Sequence, residues 1–317
     1  MQAVILAAGR GSRLHPITEN RTKAMAPILG KPIVERVMDP LVANGVREFV
    51  LVISPGDEEI RTYFKEYSQI DAEVVLVPQP EPMGMGHALL QAVPHIHDDF
   101  VLSSCDNLVP ERDVKRVVHA WDGEPGLNGV LSLLRVGPAN LTRMGVVKME
   151  ADFVVQILEK PSLEEAPSDI ASVPLYCFRQ RLLDYLPQVR PSQRGEIELQ
   201  DAIQALICQD GNVRGVHVSS RMDLTKPEDL LRINRHYLAN GFSTGPVSDR
   251  EPGKETRIKP PVYYERDVHI GDHCHLGPNV YIEHSSTIGD HVTLRNTVVL
   301  RERHVFSGAE ISGQVIF

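Results

Sequence analysis

Eight residues near the C-terminus, Tyr264, Ile270, Leu276, Ile282, Ile288, Leu294, Leu300 and Phe306, follow one another at intervals of six. Val262, Val268, Cys274, Val280, Val292 and Val298 each stand two residues before one of them, and Gly271, Gly277 and Gly289 directly follow three. Ordinary β-strands alternate with period two and have no reason to hold a six-residue register. The pattern is met when short strands turn a corner and each sends one side chain into a shared core, as in a parallel β-helix with three hexapeptides per coil. Counted that way, the run makes fewer than three complete coils. So short a stack leaves an open end, which points to a cap or to packing against another subunit. His273, His275, His284 and His291 fall within the repeats and read as outward-facing residues.

The preceding part of the chain has a different rhythm. Apolar runs at Ala3–Ala8, Glu48–Ser54, Ala72–Gln79 and Phe100–Cys105 read as strands. Helical patterns at Pro32–Asn44, Asp57–Tyr67 and His87–Val93 alternate with them. Further strands are expected at Gly129–Arg135, Val173–Phe178 and Val213–Val218, with a hairpin from Gly145–Lys148 and Phe153–Glu159. Helices are expected at Arg181–Leu186, Glu198–Cys208 and Pro227–Asn240. Alternating strands and helices imply a mostly parallel sheet covered on both faces, with ligands bound at the carboxyl ends of the strands. Ala8, Gln79 and Asp106 each stand at such an end. The stretch 241–261 is rich in glycine, proline and charge and reads as a linker, dividing a domain of residues 1–240 from a repeat domain of residues 262–317.

Charge narrows the function. The chain carries a formal net charge of -9, which argues against nucleic acid or an anionic membrane as partner. Within residues 3–32, however, Arg10, Arg13, Arg21, Lys23 and Lys31 oppose a single acid, Glu19. A cationic pocket in an acidic protein is suited to a small, highly charged anion. No apolar run reaches the roughly 18 residues of a membrane span, and Met1 leads straight into the first strand without a secretory leader. Cys105, Cys177, Cys208 and Cys274 are widely separated and form no CxxC pair, as expected of reduced thiols in a cytoplasmic protein.

Two common phosphate loops are absent. Nothing matches GxxxxGK[ST], and position 14 is Leu14 where GxGxxG requires a third glycine. The segment instead reads LAAGRGSRLHPIT, then Lys23, then Gly30-Lys31-Pro32. It resembles the signature of the sugar-1-phosphate nucleotidylyltransferases, LAAGxGxRLxPxTxxxxKxxxPxxGKP. Asp106-Asn107-Leu108 and the run from Lys226 to Leu231 look most like the long-form glucose-1-phosphate thymidylyltransferases. The fold implied is α/β, a Rossmann-like doubly wound, mostly parallel sheet followed by a short left-handed parallel β-helix.

The reaction implied is attack of a sugar-1-phosphate oxygen on the α-phosphorus of dTTP or UTP, with magnesium as cofactor and pyrophosphate leaving. Both partners are anions, so alignment and charge neutralisation are the whole task and no covalent nucleophile is needed. By the resemblance, Arg13, Lys23, Asp106 and Lys160 are catalytic. Leu6, Ala8, Gly9, Gly11, Arg13, Gln79 and Gly84 bind the nucleotide, Gln79 offering its amide to the pyrimidine edge. Gly145, Glu159, Lys160, Val173 and Tyr176 bind the sugar phosphate, while Asp106 and Asp223 share the metal. Arg10, Arg21 and Lys31 match weaker positions. His87 reads as structural, and Glu198 either meets the ligand or caps a helix. Asp223 departs from the pattern, with Ser220-Arg221-Met222 before it and Leu224-Thr225 after, and Pro174 replaces a common glycine. Other readings stay open: an N-acetylglucosamine-1-phosphate uridylyltransferase, an enzyme whose β-helix also transfers acetyl groups, and a catalytically silent regulatory subunit. A homo-oligomer is expected.

Overall fold

The computed structural model describes residues 1–9, 11–122, 126–241 and 250–317. Arg10 and residues 242–249 of the expected linker therefore lie outside the described residues. The chain packs as two compact units, Met1–Arg10 with Val34–Met222, and Gly11–Ile33 with Asp223–Phe317.

The first unit is built on a nine-stranded sheet. Its strands run in the order Glu73–Pro78, Glu48–Ile53, Gln2–Leu6, Phe100–Ser104, Ile170–Phe178, Gly129–Arg135, Val213–His217, Phe153–Glu159 and Gly145–Glu150. Seven strands point one way, and only Ile170–Phe178 and Phe153–Glu159 are reversed, so the sheet is mixed but mostly parallel. Gln2–Leu6 lies inside the sheet with every residue buried, which is why its sequence is a continuous apolar run rather than an alternation. Around it Val4, Phe100, Leu102, Tyr176 and Phe178 pack with Leu89, Ile203 and Leu206 from the helices.

Two local expectations change. The helix Glu111–Asp122 was not anticipated, although Val114, Val117 and Val118 form its buried stripe and Glu111 and Asp113 open its first turn. Residues 181–186 form no α-helix; the chain there makes two 3-10 turns, Gln180–Asp184 and Leu186–Gln188, the second holding Pro187, which has no N–H to give to a continuing helix.

The second unit contains the repeats. Eleven short strands stack as three parallel sheets of four, four and three, as in a left-handed β-helix. The stack exceeds three coils, against the expectation of fewer, because Arg257–Ile258 already pairs with His275–Leu276 and the pairing continues to Val315–Ile316. Asp267, His273, Asn279, Ser285, His291, Asn296 and Glu302 turn the corners with φ between 46° and 61°. Early coils repeat every 18 residues (Val262 on Val280), later ones every 17 (Val280 on Thr297, Thr287 on His304). The lost residue is at the corner between Thr293–Arg295 and Thr297–Val299, where Asn296 alone remains. The inward position moves accordingly. Val299 and Val305 enter the core where six-residue counting pointed to Leu300 and Phe306, and Phe306 is left 76% exposed.

The same unit holds the N-terminal signature segment. Three short turns, Ser12–Leu14, Ile17–Glu19 and Lys23–Met25, lead to a hairpin of Pro27–Ile28 and Lys31–Pro32. The buried Asn234 side chain, on the helix Pro227–Ala239, receives Leu29 N–H at 3.0 Å and donates to Pro27 O at 3.1 Å. No helix among the described residues is long and apolar enough to cross a membrane.

Candidate active site

In the first unit, Leu6 ends the inner strand, and its carbonyl accepts from Cys105 N–H at 3.1 Å, one residue before Asp106. Ala8 is buried and Gly9 exposed. Asp106 is half-buried in the turn after Phe100–Ser104. Asn107 beside it donates to Pro174 O at 3.1 Å, while its side-chain oxygen is buried with no partner.

Gln79 is buried, and its amide nitrogen donates to Gly84 O at 3.2 Å and stands 3.0 Å from Nδ1 of His87. Gln91 lies 3.3 Å from the other ring nitrogen, so His87 is locked between two amides, in line with a structural role. Gly84 precedes the helix Met85–Ala92 with φ at 93°. A Cβ there would stand 2.9 Å from both Glu196 Cβ and Ile197 O. Ile197 N–H donates to Met83 O at 2.7 Å, and Gly86 N–H donates back to Ile197 O at 2.9 Å. The close approach that demands glycine is thus made first to the protein itself.

Of the residues expected on the sugar side, Gly145 and Glu159 pair on the hairpin Gly145–Glu150 and Phe153–Glu159, Lys160 follows directly, and Val173 and Tyr176 lie on the strand Ile170–Phe178. A Cβ on Gly145 would fall 2.8 Å from Ser172 Oγ. Lys160 Nζ stands 3.1 Å from Glu159 Oε1, and the opposite oxygen, Oε2, is buried without a partner. Burial raises the Glu159 pKa, while the charge and hydrogen bond of Lys160 oppose the shift and the negative charge of Glu198 adds to it. Glu198 does not cap its helix through its side chain; it accepts from Arg194 at 2.7 Å and Ser192 at 2.8 Å. Val173 and Tyr176 are wholly buried, and the Tyr176 hydroxyl donates to Ser172 Oγ at 3.0 Å. Burial pushes the Tyr176 hydroxyl above its ordinary range.

The second unit holds the remaining cations and Asp223. Gly11 takes φ at 63°, and a Cβ there would press on Lys23 Cβ and Thr18 Cγ2, each at 3.0 Å. The Thr18 hydroxyl donates to Gly11 O at 3.0 Å. Arg13 is exposed, and Lys23 is half-buried. Thr22 Oγ1 is buried with no partner, a feature not anticipated from sequence. Asp223 accepts from the Thr225 hydroxyl at 2.8 Å. Arg21, a weaker candidate for anion binding, is instead buried against Glu283. The repeat histidines His273, His275 and His291 are exposed and His284 is half-buried.

Five buried side-chain polar atoms lack a partner among the described residues, and Thr22, Asn107 and Glu159 supply three of them. Such atoms are costly unless something else completes them; of these three, Asn107 and Glu159 belong to the first unit and Thr22 to the second. For a metal the donors are hard carboxylate oxygens. No group of three or more His, Cys, Asp or Glu able to hold an ion occurs among the described residues. One or two carboxylates suit magnesium, which keeps water and phosphate oxygens in its shell.

The description Nucleotidyl transferase belongs to the family model that matches residues 2–240, and Bacterial transferase hexapeptide (six repeats) to the one that matches residues 267–302. The chain is 36% identical over 322 residues to the Bifunctional protein GlmU of one Methanococcus maripaludis strain, covering all of this chain and 73% of the relative. Against the GlmU of another strain it spans 54%, about half of that relative's length. It is 34% identical to the UTP–glucose-1-phosphate uridylyltransferase AglF of Haloferax volcanii, over 72% of this chain and 93% of AglF. Among solved structures, a UDP-glucose pyrophosphorylase complexed with UDP-glucose superposes with a TM-score of 0.68 over 75% of this chain and 98% of that one, a likeness of fold at 21% identity. With residues 2–240 and 267–302 matched, the chain belongs to the nucleotidyl transferase family and carries a C-terminal hexapeptide-repeat region.

Proposed function

We propose that the chain transfers a nucleotidyl group from UTP or dTTP to a sugar-1-phosphate, with glucose-1-phosphate as the leading acceptor. A phosphate oxygen of the sugar-1-phosphate bonds to the α-phosphorus, the bond to the β-phosphate bridging oxygen breaks, and pyrophosphate leaves with the electron pair. The observation that carries this reading is the pair Glu159 and Lys160. A lysine side chain left 36% exposed beside a carboxylate with one unsatisfied oxygen offers a cation to phosphate and an acceptor to sugar hydroxyls.

Arg13 and Lys23 would neutralise the triphosphate and the departing pyrophosphate. Gln79 and Gly84 shape the nucleotide loop, with the Gln79 amide pinned to Gly84 O and His87. Leu6, Ala8, Gly9 and Gly11 bring the backbone to the phosphates. Gly145, Val173 and Tyr176 support the sugar side from beneath. Asp106 and Asp223 are the carboxylates proposed for magnesium, whose part is to offset phosphate charge. The printed name of AglF, which specifies UTP and glucose-1-phosphate, supports the choice of reactants.

The test is pyrophosphate release with magnesium, crossing dTTP, UTP, ATP, CTP and GTP with glucose-1-phosphate, N-acetylglucosamine-1-phosphate and other sugar-1-phosphates. Release confined to a pyrimidine triphosphate with glucose-1-phosphate supports the proposal. N-acetylglucosamine-1-phosphate as the preferred acceptor moves the substrate, and no release in any combination overturns the reading. The cytoplasm is the proposed location, since all four cysteines are free thiols. Self-association is proposed with Phe306 as one exposed apolar contact; a monomer in sedimentation at assay concentration would contradict it.

A further inference from the structure

The segment that carries Arg13 and Lys23 is fastened to the β-helix at two points. The first is Arg21, whose guanidinium reaches Glu283 through two hydrogen bonds of 2.6 and 3.0 Å. Their side chains are only 4% and 6% exposed. Glu283 also accepts Arg301 N–H at 2.8 Å, and the Arg301 guanidinium returns to Asn20 O at 2.8 Å. The second point is Gly30, whose N–H donates to the Tyr281 hydroxyl at 3.2 Å, while that hydroxyl donates to Glu265. A Cβ on Gly30 would meet the Tyr263 hydroxyl at 2.9 Å, so the hairpin sits directly on the tyrosines.

We propose that Glu283 and Tyr281 are positioning residues for the segment bearing Arg13 and Lys23, acting through Arg21 and Gly30 rather than on substrate. A bidentate ion pair out of water has one good geometry, and either charge left alone there is strongly disfavoured. Arg21 precedes Lys23 by two residues, a span of at most about 7 Å, so a shift at the pair reaches the catalytic cation almost undiminished. Displacement of a reacting group by about 1 Å can lower turnover by two orders of magnitude. AglF aligns over 93% of its own length with only 72% of this chain. The fastening is therefore an addition carried by the longer chain, not a requirement of the fold. The catalytic consequence rests on the proposed transferase activity; the fastening of the segment does not.

Both parts are tested in the full chain with Glu283→Gln, which keeps the shape and removes the charge, and with the milder Tyr281→Phe. Amide hydrogen exchange is read at Leu14, Met25, Ala26 and Ile33, which are hydrogen-bonded within the segment. Exchange there should accelerate about tenfold in Glu283→Gln, and less in Tyr281→Phe, with protection in the nine-stranded sheet unchanged. The kcat of Glu283→Gln should fall about tenfold, with KM for the sugar-1-phosphate changed less than twofold, and Glu283→Asp should recover part of the loss. Unchanged exchange in both variants overturns the proposal, as does a kcat loss no greater than the unfolded fraction. If the unaltered protein turns over no substrate pair, the transferase reading fails, and exchange alone decides whether the array orders the segment.

Discussion

Lys160 holds its ammonium 3.1 Å from one oxygen of Glu159, and the other oxygen of that carboxylate is buried with nothing to bond. Burial is the main force raising the Glu159 pKa, and Lys160 restrains it. Lys160→Ala should therefore raise KM for the sugar-1-phosphate by about ten- to a hundredfold and leave KM for the nucleotide nearly unchanged. With its cation gone, Glu159 should protonate at higher pH, so the acid limb of kcat/KM should move upward. A pH–rate profile with the acid limb in its original place would show that the pair does not govern sugar binding.

Gly84 is predicted to be intolerant of any side chain. With φ at 93° and the backbone oxygen of Ile197 2.9 Å from the site of a Cβ, Gly84→Ala should lower stability by roughly 1–3 kcal/mol. It should also weaken nucleotide use, since the same loop carries the Gln79 contact. Urea unfolding and nucleotide KM read the two effects separately; a neutral alanine would show that the loop relaxes without cost.

The shift in the β-helix register can be measured with two neighbours. Val305 is 3% exposed and Phe306 76% exposed. Val305→Ala should cost about 2 kcal/mol, whereas Phe306→Ala should stay within about 0.5 kcal/mol despite removing the larger side chain. The reverse order in urea unfolding would restore the unbroken six-residue count.

Glu265 should give stability a pH dependence. Burial lifts its pKa from 4.5 to about 7, Glu283 adds to the rise, and the Tyr281 hydroxyl, His284 backbone and Arg21 oppose it. The folded chain holds this proton where the unfolded chain has lost it, so the group's contribution is full below about 4.5 and declines as pH rises to about 7. Urea midpoints for the parent and Glu265→Gln should diverge across that window. Parallel curves would mean that Glu265 ionises as freely folded as unfolded.

Local pattern carried much of this structure. The glycines and cations of residues 3–32, the strand end before Asp106 and the Glu159-Lys160 step are contiguous motifs, and each chemistry is visible in a few adjacent residues. What escaped depends on distant pairing. Arg21 and Glu283 are 262 residues apart, so the cation looked available until the fold neutralised it. Gly84 stands in a motif that suggests nucleotide binding, but the neighbours that crowd it, Glu196 and Ile197, come from another part of the chain. One residue missing at the Asn296 corner is invisible to a count of apolar positions, since Leu300 and Phe306 keep the six-residue spacing while their neighbours take the core. The helix Glu111–Asp122 is different: its valine stripe, Val114, Val117 and Val118, is present in the sequence but short, and it stands between two stronger strand signals.

The most direct measurement follows the phosphorus nuclei by NMR in a reaction of UTP, glucose-1-phosphate and magnesium, with the parent chain and with Asp106→Ala. The parent should convert both substrates into a sugar nucleotide and pyrophosphate in equal amounts, with removal of magnesium stopping the reaction and Asp106→Ala forming neither product. Hydrolysis of the triphosphate irrespective of sugar phosphate, or near-normal product formation by Asp106→Ala, would contradict the account.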